Sequence, residues 1–141
     1  MSDIATARTI LDRYNEAILT KSAAMLASVY ADDAVHELPF MHSAPPMRGR
    51  QEVLERYTAG WAATNAKVKD IRNIVMHPVA DGETFIVEEE IGVTNMDTGV
   101  DFVAATVLVM RIADGKIAHI RDYTDNLTIA QGLGRIPSLA G

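Results

Sequence analysis

The sequence predicts an α+β domain in which a helical first half is followed by a sheet. Up to residue 64, apolar residues recur at spacings of three and four, which is the period of an amphipathic helix. From residue 67 the pattern becomes that of extended strands, and the turn motifs Asp81-Gly82 and Asp114-Gly115 separate apolar runs. Helices followed by hairpin-linked strands indicate an α+β fold with an antiparallel or mixed sheet.

Three helices are predicted before the sheet. The first follows Ser2 or Asp3, either of which can cap it. Its apolar stripe consists of Ile4, Ala7, Leu11, Tyr14 and Ile18. A second helix is predicted over 22–30 and a third over 50–64. Between them, 34–38 is typical of a short strand, and the apolar loop 39–49 is expected to cover other parts of the domain.

Four longer strands are predicted over 67–77, 83–94, 100–112 and 116–124. The third of these is apolar on both faces, as expected of a central strand. A last helical turn is predicted over 126–132, and a tail over 135–141. Because no linker or repeat interrupts the pattern, we expect residues 1–141 to form one domain.

Composition excludes several classes of function. The net charge of −6 disfavours nucleic acid and anionic membranes as partners. The chain has no cysteine, and its histidines (His36, His42, His77 and His119) lack metal-site spacing, so neither a metal nor another cofactor is expected. The start lacks the pattern of a signal peptide and no apolar run is long enough to span a membrane, which predicts a cytoplasmic protein.

Asp122 is the first candidate catalytic residue. Strand alternation places it on one face with Ala118, Ile120 and Thr124, and places Ile117, His119, Arg121 and Tyr123 on the other. A carboxyl among small apolar side chains is desolvated, which raises its pKa and suits a general acid or base. The alternative is a structural aspartate that caps a turn or pairs with an arginine.

Glu89 is the second candidate, because it interrupts an apolar row formed by Phe85, Val87, Ile91 and Val93. A glutamate inside such a row must be protonated, paired or next to a cavity. Two inward carboxylates, Glu89 and Asp122, can share a proton or divide the acid and base roles. A β-bulge that reverses the strand's parity would instead expose Glu89.

Two further polar side chains belong to predicted apolar faces. His36 alternates with Ala34 and Leu38, so it is expected to point inward, where it could carry a proton or simply be a bonded core histidine. Tyr14 lies on the stripe of the first helix, where a core tyrosine is an equal alternative to a functional one. Trp61, Tyr57 and Phe40 are expected to line a pocket, as are the methionines of the apolar loop.

Two phrases resemble a known family. Residues 30–40, YADDAVHELPF, and residues 114–134, DGKIAHIRDYTDNLTIAQGLG, resemble the SnoaL-like branch of the nuclear transport factor 2-like superfamily. The resemblance implies a curved sheet that forms a cone around a pocket, closed by three N-terminal helices. It also implies a twofold dimer through the outer sheet face, where Ile117 and Tyr123 are expected.

The resemblance also suggests roles for particular residues. Asp122 matches the catalytic acidic residue of SnoaL-like cyclases, limonene epoxide hydrolase and phenazine biosynthesis proteins, and Tyr14 resembles the oxyanion donor of ketosteroid isomerase. Leu38 and Leu108 stand where ketosteroid isomerase has its base and second acid, so they are expected to contact substrate without that chemistry. The strand segment 88–93 lacks the arginine that limonene epoxide hydrolase uses.

Two functions follow from this sequence. The first is a cofactor-independent enzyme that isomerises, cyclises or hydrolyses a small apolar metabolite in a deep pocket, with Asp122 as general acid or base. His36 or Glu89 would be its partner, and Tyr14 would stabilise negative charge on an oxygen. The second is a non-catalytic module of the same fold that binds a small ligand or mediates dimerisation. The sequence favours the enzyme.

Overall fold

The residues that the structure describes form four helices and six strands, which confirms the predicted α+β class. The structure is a computed structural model that describes residues 3–41 and 43–135, so Ser2, His42 and most of the predicted tail lie outside it. In chain order the elements are α1 (Ile4–Thr20), α2 (Ala23–Ala27), β1 (Tyr30–Glu37), β2 (Met47–Arg48), α3 (Arg50–Ala63), β3 (Ala66–Pro78), β4 (Thr84–Asn95), β5 (Asp101–Ala113), β6 (Lys116–Thr124) and α4 (Asn126–Gly132).

The strands form one curved, open sheet in the order β2-β1-β6-β5-β4-β3. Strands β3 to β6 are an antiparallel meander, as the turn motifs predict. Strand β1 lies parallel to β6, which makes the sheet mixed. This parallel pair brings residues from the first third of the chain beside the last strand.

Side-chain caps set the starts of the first two helices. Asp3 accepts a hydrogen bond from the amide of Thr6 at 2.7 Å, and Ser22 accepts one from the amide of Met25 at 3.2 Å. Helix α2 is shorter than predicted, because the chain has already entered β1 at Tyr30, which pairs with Ile117 of β6. None of the helices in the described ranges is long and apolar enough to cross a bilayer.

Because of a β-bulge near the start of β6, the first residues of this strand do not lie on the faces that alternation predicts. Arg111 of β5 pairs with His119, but the next residue, Ile112, pairs with Ile117, so Ala118 is the extra residue. The bulge turns Ile117 inward, where it is fully buried, and not onto the outer face as alternation predicts. Beyond the bulge the alternation holds, and Ile120, Asp122 and Thr124 face inward as expected.

The core lies between the inner face of the sheet and the helices. It includes Leu11, Leu26, Val53, Phe85, Val87, Met110, Ile112 and Ile120, each fully or almost fully buried. Buried polar side chains occupy one region of the same inner face. The opposite face carries His119 and Tyr123, and the homodimer expected through it stays a prediction.

Candidate functional site

Five polar side chains form a continuous hydrogen-bonded chain on the inner face. The Tyr30 hydroxyl lies 2.8 Å from His36 Nδ1, and His36 Nε2 lies 3.1 Å from Asp122 Oδ2. The Thr124 hydroxyl donates to Asp122 Oδ1, and it lies 2.7 Å from the Thr106 hydroxyl. All five residues are at least nine-tenths buried, so these bonds do not compete with bulk water. We call this set the Asp122 chain.

Strand pairing explains how the Asp122 chain assembles. His36 of β1 pairs in register with Ile120 of β6, which places Asp122 two residues further along the same inner face. Thr124 pairs with Thr106 of β5 across the next ladder. The parallel β1–β6 pair therefore joins a histidine and an aspartate that are 86 residues apart in sequence.

Two further tyrosines adjoin the chain. The Tyr14 and Tyr57 hydroxyls are 2.9 Å apart, and the Tyr57 ring meets the His36 ring edge-on at 5.7 Å. Burial raises the pKa of Tyr14, Tyr30 and Tyr57 well above the usual value for tyrosine, and the charge of Asp122 raises it further. These hydroxyls therefore keep their hydrogens and serve as hydrogen-bond donors.

Glu89 is buried as predicted, and it faces α1. Asn15 Nδ2 donates to Glu89 Oε2 at 2.8 Å, whereas Asn15 Oδ1 is buried and has no hydrogen-bond partner among the described residues. Burial is the main reason why the pKa of Glu89 is raised to about 7. The charge of Asp122 adds to this increase, whereas the hydrogen bond from the Asn15 amide lowers the pKa. Glu89 pairs in register with Thr106, so it lies next to the end of the Asp122 chain.

We expect Glu89 to make stability fall as the pH rises. Its folded-state pKa of about 7 exceeds the ordinary value of 4.5, so its stabilising contribution is complete below pH 4.5 and is lost as the pH rises through 7. Glu89→Gln removes this charge, and its amide can donate to Asn15 Oδ1. By urea unfolding at pH 8, this variant should be about 2–3 kcal/mol more stable than the wild type.

The advantage of Glu89→Gln should shrink towards pH 5, where the wild-type glutamate is protonated. Glu88→Gln is the matched control, because Glu88 lies next to Glu89 but faces outward, where its carboxylate bonds His77 at 2.6 Å. An equal advantage at pH 5 and pH 8 would show that Glu89 does not titrate in this range.

A cavity of about 360 Å³ adjoins the Asp122 chain. Its lining includes Asp122 and Thr124 from β6, Tyr57 and Trp61 from α3, and Leu38, which follows β1 directly. The other lining residues are Met41, Met47, Arg56, Gly60 and Asn126. Most of the wall is therefore apolar, with one carboxylate in it, which is typical of a site for a small organic ligand.

The family is decided by a comparison with protein-family models. A model described as "SnoaL-like domain" matches residues 11–120. The chain belongs to the SnoaL-like domain family. This result confirms the resemblance found in the sequence. The match includes His36 and ends two residues before Asp122. No curated protein sequence is significantly similar to this SnoaL-like domain.

Solved structures with the same fold are similar over almost the whole chain. A proposed isomerase from Bacillus subtilis superposes with a TM-score of 0.86 at 20% identity, covering 96% of this chain and 98% of its own. A proposed polyketide cyclase from Xanthomonas campestris pv. campestris superposes with a TM-score of 0.75 at 16% identity, covering 94% of this chain and 99% of its own. An LEH-like epoxide hydrolase from M. tuberculosis superposes with a TM-score of 0.64 at 18% identity, covering 93% of this chain and 91% of its own.

The SnoaL-like domain brings together some of the predicted site residues and separates others. Asp122 and His36 are in contact, and Asp122, Tyr57, Trp61 and Leu38 line the cavity. Glu89 and Tyr14 do not line it, and Tyr14 reaches it through Tyr57. The roles predicted for these residues stay predictions.

Two residues expected in the pocket lie elsewhere. Phe40 is 68% exposed and packs against Tyr123 at 5.2 Å, because the proline-rich loop carries it round to the outer side of the sheet. Leu108 is buried in the core opposite Asp122 in the β5–β6 ladder, but it is not part of the cavity wall.

Tyr30, Asn15 and Thr106 are members of the site that the sequence does not single out as functional. The helical pattern of α2 extends to Tyr30, so the sequence does not indicate that Tyr30 belongs to β1 or that its hydroxyl bonds His36. Asn15 follows Tyr14 on α1, and its residue type is typical of an exposed helix position, although it is only 6% exposed. Thr106 does not stand out, because its strand is mostly apolar. The alternation of the strand, which turns Thr106 to the inner face, is the feature of the sequence that could have identified it.

A larger groove of about 770 Å³ lies on the other side of the sheet. Charged residues of both signs line it, among them Asp32, Glu37, Arg48, Arg111 and Lys116. Several of them pair with neighbours, as Glu37 does with His119 at 2.6 Å. The smaller cavity is the better candidate, because its wall is apolar and includes the buried carboxylate. Within residues 3–41 and 43–135, no cluster of three or more side chains could hold a metal ion.

Proposed function

We propose that this SnoaL-like domain is an acid–base enzyme that moves a proton on a small, largely apolar metabolite. The observation that carries the proposal is the position of Asp122, whose carboxylate lines an apolar cavity and is hydrogen-bonded to a fully buried imidazole. A carboxylate in such a site exchanges protons with a bound carbon or oxygen acid efficiently. The reaction would be an isomerisation, a cyclisation or the hydrolysis of a strained ring.

The other groups would support this transfer. His36 lies behind Asp122 and would orient its carboxylate towards the cavity. Tyr57 lines the cavity, and the Tyr14 hydroxyl can donate to the Tyr57 oxygen, which leaves the Tyr57 hydrogen free to face a ligand. A donor placed there would stabilise negative charge that develops on a substrate oxygen. Tyr57 therefore takes the role that the sequence suggests for Tyr14.

The similar structures support the proposal only in general terms. Their names include an isomerase, a polyketide cyclase and an epoxide hydrolase, and each is at most 20% identical to this chain. Such likeness is evidence for the fold. The choice of a proton-transfer reaction depends on the cavity and on Asp122.

Trp61 makes the proposal testable before any substrate is identified. It is the only tryptophan in the sequence and it lines the cavity, so its fluorescence reports occupancy. We would titrate a panel of small apolar ketones, esters and epoxides and then incubate those that bind in D₂O. The expected result is deuterium incorporation, rearrangement or ring opening of at least one compound. Binding without chemical change across the whole panel would favour a ligand-binding module.

A further inference from the structure

The cavity wall also carries a positive charge. Arg56 of α3 lines the cavity, and its Nη1 donates to the carbonyl oxygen of Pro45 at 2.7 Å. A guanidinium carries a permanent positive charge and several N–H donors, so most of the donors of Arg56 remain available for other partners. The proton transfer that we propose for Asp122 does not use this charge.

No carboxylate of the described residues neutralises Arg56. Every ion pair within 4.0 Å in residues 3–41 and 43–135 is formed by other side chains. Glu52, one helical turn before Arg56, accepts a hydrogen bond from the backbone amide of Arg48 at 3.0 Å instead. Asp122 lines the same cavity, but it pairs with His36 and not with the guanidinium. A charged guanidinium with free donors at a cavity wall is suited to bind an anionic group of a ligand.

An asparagine without a hydrogen-bond partner lines the same cavity. Nδ2 of Asn126 is buried, and it bonds no other atom in the part of the chain that the structure describes. A buried N–H group without a partner is rare in proteins and calls for a specific explanation. The last torsion of an asparagine side chain is broad, so this amide can turn and donate to an oxygen inside the cavity. Asn126 belongs to α4 and Arg56 to α3, so two different helices supply donors to one space.

A glycine in α3 leaves room beside Arg56. Gly60 lies four residues after Arg56, on the same side of the helix, and it also lines the cavity. Glycine destabilises a helix relative to alanine. Neither a positive φ nor a close contact requires it here, because an added Cβ would meet no atom within 4 Å. The open space at Gly60 therefore admits a small group next to the guanidinium.

We propose that Arg56, Gly60 and Asn126 form a carboxylate-binding site, so that the substrate of this domain is an organic acid with an apolar body. The planar guanidinium can donate to both oxygens of a carboxylate, and the Asn126 amide adds a further hydrogen bond. The apolar body would lie against the apolar part of the cavity wall. This inference rests on the proposed function, because it names the class of substrate for the same cavity.

A carboxylate fits this site better than a phosphate. The cavity has a volume of about 360 Å³, and its wall already contains the carboxyl group of Asp122. A phosphate monoester carries close to two negative charges near pH 7, and a single arginine would not balance them. A carboxylate brings one charge, which Arg56 balances, and leaves the rest of the cavity for an apolar chain or ring.

Matched pairs of ligands test the site without any turnover. Each pair consists of a medium-chain keto acid and its methyl ester, which share an apolar body and differ in charge. Trp61 fluorescence gives the dissociation constant of each compound near pH 7. We expect the wild type to bind the acids at least about ten-fold more tightly than the esters, because hydrogen bonds to a charged group are stronger. Equal affinity, or tighter binding of the esters, would overturn the inference.

Arg56→Met should abolish the preference for acids. Methionine keeps an unbranched apolar stem, so the acids should lose about 10–100-fold in affinity while the esters stay within a few-fold of wild type. The ratio of the two affinities also isolates the charge from the lost contact with Pro45, since a loosened loop would weaken both ligands alike. An Arg56→Met protein that still prefers the acids would overturn the role of Arg56.

Arg111→Met is the matched control for this variant. Arg111 is exposed in the groove on the other side of the sheet, so the substitution removes the same charge from the protein without touching the cavity. The preference for acids should equal that of the wild type. A loss as large as in Arg56→Met would overturn the site, because the preference would then depend on the net charge of the protein.

Two further variants test the other members of the site. Gly60→Ala should raise the urea midpoint of unfolding, because alanine favours a helix, and yet weaken the acids several-fold, because its methyl group occupies the space beside Arg56. Asn126→Leu should weaken the acids several-fold and leave the esters within a few-fold of wild type. Unchanged acid binding in either variant would overturn the placement of the carboxylate at that residue.

The panel in D₂O, extended by the keto acids, separates this inference from the proposed function. Acids that bind through Arg56 but undergo no exchange, rearrangement or ring opening would support the carboxylate site and count against the enzyme. Turnover of neutral ketones, esters or epoxides, with no preference for acids in binding, would support the enzyme and overturn the carboxylate site.

Discussion

Asp122→Asn is expected to reduce the turnover of any compound that wild-type protein converts by about 10²–10⁴-fold, the usual contribution of a general acid or base. Asparagine keeps the size of the side chain and can still bond His36 and Thr124, but it cannot take up a proton. Binding measured through Trp61 fluorescence should stay within a few-fold of wild type, since most of the cavity wall is apolar. The loss should therefore fall on kcat.

Asp33→Asn provides the comparison for this experiment. Asp33 is exposed on β1 and lines the groove on the far side of the sheet, so its substitution removes the same charge without touching the cavity. Turnover should be unchanged in this variant. If Asp122→Asn keeps wild-type turnover on a compound that binds at Trp61, Asp122 is a structural residue and the proposed function fails.

Ile117→Ala is expected to destabilise the domain by about 2–5 kcal/mol, as for other large-to-small changes in a core. The bulge at Ala118 turns Ile117 inward, where it packs in the core with Met110, Ile112 and Ile120. Unbroken alternation would put Ile117 on the outer face, where the same change would cost little. Urea unfolding measures the difference directly.

Val103→Ala is the control for the bulge. Val103 is 40% exposed on the outer side of β5, and the loss of its side chain should cost less than about 1 kcal/mol. Equal, small losses in both variants would mean that Ile117 faces outward and that the β6 register is wrong.

The sequence predicts the elements well because their patterns are local. The stripe of α1, the turn motifs and the alternation around His36 and Asp122 depend only on neighbouring residues, and the structure agrees with them. The inward position of Glu89 follows from the same reasoning. Each of these features needs only the period of a helix or a strand.

The features that the sequence does not predict depend on how the strands pair with one another. Tyr30 leaves the helical pattern because β1 pairs with β6, and the bulge that turns Ile117 inward belongs to the β5–β6 ladder. Phe40 is expected in the pocket because it is aromatic and next to apolar loop residues, but the path of the loop decides its side. The His36–Asp122 contact itself follows from the parallel pair, which no local pattern predicts.

A crystal structure with a bound ligand tests the central claim most directly. The compound would be the ketone, ester or epoxide that changes Trp61 fluorescence at the lowest concentration, soaked into the Asp122→Asn protein to prevent turnover. We predict that it occupies the cavity between α3 and β6, with its reactive group beside residue 122 and its oxygen near the Tyr57 hydroxyl. A compound bound in the charged groove on the other side of the sheet, or in the cavity with its reactive group turned away from residue 122, would contradict the account.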